Sequence, residues 1–263
     1  MVGHLKIKKT FFAQMYHKIW MPCSSYFCNS YYLIYPAGDD LSMKENKNKY
    51  HEESGDIVEI ENNKIPRGHV TLVGLGRLGI RTGINLTQVH RGGPLRITAI
   101  DSQKISEGDL IFRMRGGENG RYKVDLLHDL RGIKEVEPIR EDINQENLDL
   151  LEGDVVCVEI AGGNTIPITA AIIKQAHKIG ARTISTAGVF GIGEEEIRAM
   201  DISQAPQDNP VANELKQQGI NSDHTLVTTG KFIRDWEPVT PYVLDEVAGK
   251  ITMEILKLLR DVK

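Results

Sequence analysis

The sequence predicts a Rossmann-like α/β fold, a doubly wound and mostly parallel sheet. Three observations point there. From residue 56 onward, short β-branched apolar runs alternate with helical patterns. The first clear run, HVTLV, enters Gly74-x-Gly76-x-x-Gly79 and passes straight into a helical pattern. A later run, Val155–Ile160, reads as a continuous apolar strand of the kind that is buried on both faces.

The elements follow in order. Ile57–Ile60 reads as a short strand, His69–Val73 as a strand and Leu78–Val89 as a helix. Leu95–Ile100 is a strand, Tyr122–Leu130 a short helix, Glu135–Ile139 a strand and Gln145–Leu151 a helical turn. After the buried strand, Ile166–Ile179 reads as a helix with an apolar face at Ile168, Ala171, Ile172 and Ile179. Thr183–Ala187 is a further strand. Residues 189–224 are polar and rich in Gly, Pro, Asp and Asn, and read as loops with one helix near Val211–Gln218. Thr225–Thr229 is the last strand. Leu244–Val262 is an amphipathic helix that ends in Lys and Arg, which suits the negative end of its dipole.

Composition bounds the function. The 263 residues carry a formal net charge of -4 and 40% hydrophobic residues, which suits one globular α/β domain with a small appendage. The near-neutral balance without a basic stripe argues against nucleic acid. No apolar run reaches the roughly 18 residues of a membrane helix. Three cysteines, Cys23, Cys28 and Cys157, make no disulfide framework and suggest a cytoplasmic protein. Residues 1–55 read as an N-terminal extension. Within it, residues 1–42 are rich in Tyr, Phe and Lys and make a poor signal peptide. They are either a poorly packed extension or an arm that packs in a dimer. Residues 56–263 form the domain, with substrate loops at 189–243.

The glycine turn is a site for phosphate. Gly74 turns the chain, Gly76 lets the backbone approach a phosphate oxygen, and Gly79 lets the helix pack close to the strand. The next strand delivers Asp101 about 20 residues later, where a carboxylate can take ribose hydroxyls. A helix dipole contributes about 0.3–1 kcal/mol per anion, too little to hold a triphosphate, so cations should lie nearby. Arg113, Arg115, Arg121 and Lys123 follow Asp101 within one segment. An ATP enzyme that stabilises leaving pyrophosphate has a use for them. A nicotinamide-dependent (NAD(P)) oxidoreductase accounts for the glycines and Asp101 but leaves this basic segment idle. A non-catalytic nucleotide-binding scaffold is the third reading.

The ordered motifs resemble the ThiF/MoeB/E1 superfamily of ATP-dependent carboxylate-adenylating enzymes. That family has a glycine turn, then D-x-D-x-V-x-x-S-N-L-x-R-Q, then G-x-x-K-V. Here Asp101 takes the ribose-binding position, while Ile105, Asp109 and Leu110 fall on the family's Val, Asn and Leu. Gly120-Arg-Tyr-Lys123-Val124 supplies the phosphate-binding lysine. The closing GKITMEILKLL resembles the family's last helix.

The resemblance implies ATP and Mg2+ as cofactors. It places the nucleotide at Gly74, Gly76, Arg77, Leu78, Gly79, Asp101, Lys123 and Ala161, with catalytic roles for Lys123, Arg113 and Arg115. It also implies a homodimer in which an arginine of one chain enters the neighbour's ATP site, and Arg67 is a candidate for that arginine.

Departures narrow the resemblance. The family arginine falls on Phe112, so Arg113 or Arg115 substitutes. The metal-binding aspartate falls near Ala161, leaving Glu159 or Asn164 as metal candidates out of register. Paired CxxC zinc motifs are absent, and no cysteine follows Cys157, which reads as core. The remaining likeness is to E1-like proteins found with the Fe-hydrogenase of methanogenic archaea. It implies that the small-molecule carboxylate is guanylylpyridinol and that the acyl group passes to the reactive cysteine of an acceptor protein. Thr228, Thr229, Lys231 and Trp236 are the candidate substrate-binding residues, Lys231 for an anion and Trp236 for a ring.

Overall fold

The alternation of apolar runs and helical patterns becomes a seven-stranded sheet in the order β3-β2-β1-β4-β5-β7-β6. The computed structural model describes residues 57–58, 61–62, 64–161, 164–232 and 238–260. The expected extension 1–55 and the candidate Trp236 lie outside them. All described residues belong to one compact unit, Glu52–Lys263.

The chain runs through β1 (His69–Val73), α1 (Gly79–Thr87), β2 (Arg96–Ile100), α2 (Leu110–Met114), α3 (Lys123–Asp129) and β3 (Glu135–Ile139). A short 3-10 turn at Leu148–Leu150 leads into β4 (Val155–Val158), α4 (Ile166–Lys178) and β5 (Arg182–Thr186). Then come β6 (Arg198–Asp201), α5 (Pro210–Gln217), β7 (His224–Thr228) and α6 (Pro241–Arg260). All neighbouring strands are parallel except β6 and β7.

Side chains of the central strands alternate between two cores. Val70, Leu72, Ile97, Ala99, Val155 and Cys157 pack with α1, α3 and α6 on one face. Val73, Ile100, Val156 and Val158 pack with α4 on the other. Because β4 is covered on both sides, all four of its residues are buried. A third cluster joins α4, α5 and the β7 residue Leu226.

Three expectations require correction. Ile57 and Val58 are helical rather than extended, and both are exposed, so no sheet neighbour holds them in a strand. The helix α4 buries Thr169, Ala170, Ile172, Ile173 and Ala176, whereas Ile179 caps its C-terminus in solvent. A nearly all-apolar helix leaves the face ambiguous, and the sheet selected one rotated from the expected stripe. Within the expected loop 189–224, Arg198–Asp201 forms the antiparallel edge strand β6. Its exposed Arg198 and half-buried neighbours give no apolar run to read.

Candidate functional site

The strand order reverses between β1 and β4, because β2 and β3 lie on one side and β5 and β7 on the other. Ligands of open α/β sheets bind at the carboxyl ends of strands beside such a reversal. A cavity of about 250 Å³ lies there. It is lined by Gly74 and Gly76 after β1, Asp101 and Gln103 after β2, Glu141–Ile143 after β3, and Glu159–Ala161 after β4.

Each glycine of the turn has a distinct physical cause. Gly74 has φ +94, and a Cβ there would lie 2.9 Å from the Glu159 carbonyl oxygen. At Gly79 a Cβ would lie 2.1 Å from the Gly74 carbonyl oxygen, so only glycine lets α1 start this close to β1. At Gly76 a Cβ would meet nothing within 4 Å. That is the bare edge facing the cavity. Leu78 at the N-cap supplies no side-chain cap to α1, and the Ile80 amide donating to Gly76 is the first backbone bond of the helix. The amides that precede it have no intrahelical partner, as at any helix start, and are of the kind that can donate to an anion. Arg77 is exposed, and its carbonyl accepts from the Arg81 guanidinium at 2.7 Å.

Asp101 holds the turn in place. One carboxylate oxygen accepts the Leu75 amide at 2.6 Å and the other the Gln103 amide at 2.7 Å. Burial pushes its pKa up, opposed by these two amides and by the Lys123 charge. Gln103 links Asp101 to Lys123. Its carbonyl accepts the Lys123 amide at 3.0 Å, and its side-chain oxygen accepts from Lys123 Nζ at 2.8 Å. Lys123 Nζ also lies 3.5 Å from the Asp109 carboxylate and 5.1 Å from the centre of the Phe112 ring. The lysine is almost wholly buried, as is Phe112 at the position of the family arginine.

Glu159 does not face the crevice with its carboxylate. One oxygen accepts from the Thr82 hydroxyl at 2.8 Å, and the other, Oε2, is buried without a partner beneath the glycine turn. Burial raises its pKa to about 7, against the hydrogen bond from Thr82. Burial also pushes the Cys157 thiol well above its ordinary value. Ala161 lines the cavity with no ligand atom, and Asn164 is exposed. Among the described residues no group of three His, Cys, Asp or Glu is arranged to hold a metal.

The structure therefore brings together Gly74, Gly76, Asp101, Glu159 and Ala161, with Lys123 one side chain behind through Gln103. Arg113 and Arg115 stand exposed at the end of α2, and Arg113 donates to the Glu107 carbonyl at 3.2 Å. Thr228 ends β7 and Thr229 and Lys231 follow it, and none of the three lines the cavity. Both threonine hydroxyls are engaged by backbone. Thr228 donates to the Gly188 carbonyl, and Thr229 donates to the Phe190 carbonyl at 2.7 Å. Gln103, Glu141 and Asp142 were missed from sequence. Only the turns after β2 and β3 bring them to the crevice, and no motif marks them.

No protein-family model matches the chain. A protein of Methanocaldococcus jannaschii described as uncharacterized is 44% identical over 203 residues, covering 77% of this chain and 81% of that protein. The structure of HcgE from Methanothermobacter marburgensis with guanylylpyridinol and ATP bound is 56% identical, with a TM-score of 0.74. That match covers 76% of this chain and 99% of that one. The tRNA N6-threonylcarbamoyladenosine dehydratase TcdA of E. coli, in complex with ATP, shares the fold at 17% identity and a TM-score of 0.62, over 73% of this chain and 86% of its own. At 56% identity over 99% of that chain, on a seven-stranded and mostly parallel sheet, the chain belongs to the HcgE family of ThiF/MoeB/E1-like proteins.

Proposed function

We propose that this chain uses ATP to adenylylate the carboxylate of guanylylpyridinol, and that the acyl group then passes to a cysteine of an acceptor protein in the assembly of the iron-guanylylpyridinol cofactor. The observation that supports this most directly is the 56% identity to HcgE, whose structure holds both guanylylpyridinol and ATP. The reading includes a homodimer working in the cytoplasm.

The substrate carboxylate is already ionised near pH 7, so the first step needs no general base. A carboxylate oxygen attacks the α-phosphorus of ATP, the bond from that phosphorus to the bridging oxygen breaks, and pyrophosphate leaves. The acceptor's thiolate then attacks the acyl carbon and AMP departs, the thiol proton having gone to solvent. The protein contributes position and charge. The open edge at Gly76 and the free amides that begin α1 meet phosphate oxygens. Asp101 has lone pairs beyond those taken by Leu75 and Gln103, and they accept from the ribose hydroxyls. Lys123 exchanges Gln103 and Asp109 for phosphate oxygens, and Arg113 and Arg115 meet the departing pyrophosphate.

Thr228, Thr229, Lys231 and Trp236 serve the substrate end, the threonines by fixing the loops. Cys157 is no acyl carrier, because it is buried and remains a thiol. Mg2+ enters with ATP. Ala161, the enclosed Glu159 carboxylate and the exposed Asn164 do not fit it as ligands, so the mechanism gives the ion no protein ligand.

Carboxylate-dependent ATP–pyrophosphate exchange tests the reading. Exchange should appear with guanylylpyridinol and not with simple carboxylates. It should fall about 100-fold or more in Lys123→Ala, the usual effect of removing one group that stabilises transition-state charge. ATP binding without exchange for any carboxylate would make the chain a nucleotide-binding member without turnover, the reading that Ala161 favours.

A further inference from the structure

The amino ends of the strands carry a second cleft, of about 500 Å³. Arg67 reaches it just before β1, Arg91 just after α1, and Arg260 from the end of α6. Val89, Leu256 and Leu259 form its apolar wall. Among the described residues that line it, none is acidic. The place is fixed by close packing. A Cβ on Gly68 would lie 2.8 Å from the Leu259 side chain, and one on Gly93 2.8 Å from Val89. The Arg67 amide donates to the Gly93 carbonyl at 2.9 Å, which joins the segment before β1 to the turn after α1.

Elsewhere Arg81, Arg96, Arg121 and Arg140 each pair with a carboxylate. Among the described residues, the Arg91 and Arg260 side chains make no ion pair or hydrogen bond. Nearby carboxylates are committed. Glu61, which feels the Arg91 charge, is bonded to Lys64, and Asp154 accepts the His69 amide at 2.8 Å. A further positive group is bonded to the turn after α1, although it does not itself line the cleft. Lys134 is 3% exposed, and its Nζ donates to the Gly92 carbonyl at 3.1 Å. An ammonium has three donors, and no carboxylate pairs with this one among the described residues. Burial accordingly lowers its pKa.

We propose that this cleft is a second anion site, separate from the crevice, that takes the phosphate group of a small phosphorylated molecule. Arg91 and Arg260, brought to one cleft, repel one another, and an oxyanion between them removes that repulsion. Guanidinium forks match phosphate oxygens two at a time. The Val89, Leu256 and Leu259 wall meets the organic part of the ligand. The arginines are exposed, so binding weakens as salt rises.

The test is a calorimetric titration of pyrophosphate into the full chain, with the crevice saturated by a non-hydrolysable ATP analogue. One binding event should remain, weakened at least about tenfold in R91Q/R260Q, while the variant binds the ATP analogue as the unaltered chain does. The same titration with AMP should give an event with the same dependence on the two arginines. Absence of any remaining event, or an event equally strong in the variant, would overturn the site. So would a variant that changes oligomeric state when neither form shows an anion event, which would assign the arginines to a subunit contact. The comparison of variant with unaltered chain holds whatever the crevice binds, so failure of the adenylylation reading leaves it intact.

Discussion

At the residue scale, the three glycines of the turn separate stability from binding. Gly79→Ala places a methyl group 2.1 Å from the Gly74 carbonyl oxygen, where backbone cannot yield cheaply. It should lower stability by about 1–3 kcal/mol, as overpacking does, and show as a lower Tm. Gly76→Val has open space at its Cβ, so the fold should survive while the side chain fills the crevice. ATP binding should weaken at least tenfold at nearly unchanged Tm. Equal effects of both variants on Tm would sink this division.

Glu159 gives a pH prediction. Its folded pKa of about 7 lies above the ordinary 4.5, so the folded chain holds a proton that the unfolded chain releases over that window. This contribution to stability is full below pH 4.5 and is lost as pH rises through 7, an effect of about 3 kcal/mol. Glu159→Gln does not titrate. Its Tm relative to the unaltered protein should therefore rise between pH 5 and pH 8. Parallel melting curves at the two pH values would count against the buried, partnerless Oε2. The glycines and Asp101 were legible because backbone geometry restricts which residue can stand there. Glu159 was misread as a metal candidate because sequence shows a carboxylate near the crevice but not that β4 turns it beneath α1 toward Thr82.

At the element scale, the loops beyond β5 and β7 are tied by two hydroxyls, Thr228 to Gly188 and Thr229 to Phe190. Thr229 accepts the Phe190 amide at 3.2 Å and donates to its carbonyl at 2.7 Å, so the end of β7 holds the Gly188–Phe190 loop. Thr229→Val keeps the shape and removes both bonds. Leaving those half-buried backbone groups unpaired should cost about 1 kcal/mol. Hydrogen exchange of the Phe190 amide should quicken, whereas amides of β1 stay protected. Unchanged exchange at Phe190 would show that the latch bears no load.

The strands β1, β2, β3, β5 and β7 were legible within a residue or so, because apolar runs between glycine turns mark them. β6 and α2 were not. An edge strand needs little apolar character, and α2 exposes Leu110 and Met114. The segments after β5 and β7 were legible as loops, but sequence does not show that the Thr228 and Thr229 hydroxyls bond to backbone.

At the scale of the whole molecule, one sheet separates two clefts of different charge. The crevice opens at the carboxyl ends between β1 and β4, and the arginine cleft lies at the amino ends. Doubly wound topology dictates the first, since the reversal of strand order leaves a gap that no helix covers. It was legible from the alternation of strands and helices alone. The arginine cleft was not, because its cations come from three separate places in the chain. Both lie within the compact unit Glu52–Lys263. A unit of this size buries roughly 70% of the surface its unfolded chain exposes, enough for a core of its own. The chain begun at Met43 should therefore melt in one cooperative transition and bind the ATP analogue within about threefold of the full chain. Calorimetry and size-exclusion measurements on the two forms check this. Loss of the transition would mean that residues 1–42 complete the core, and loss of a dimer alone would identify them as its arm.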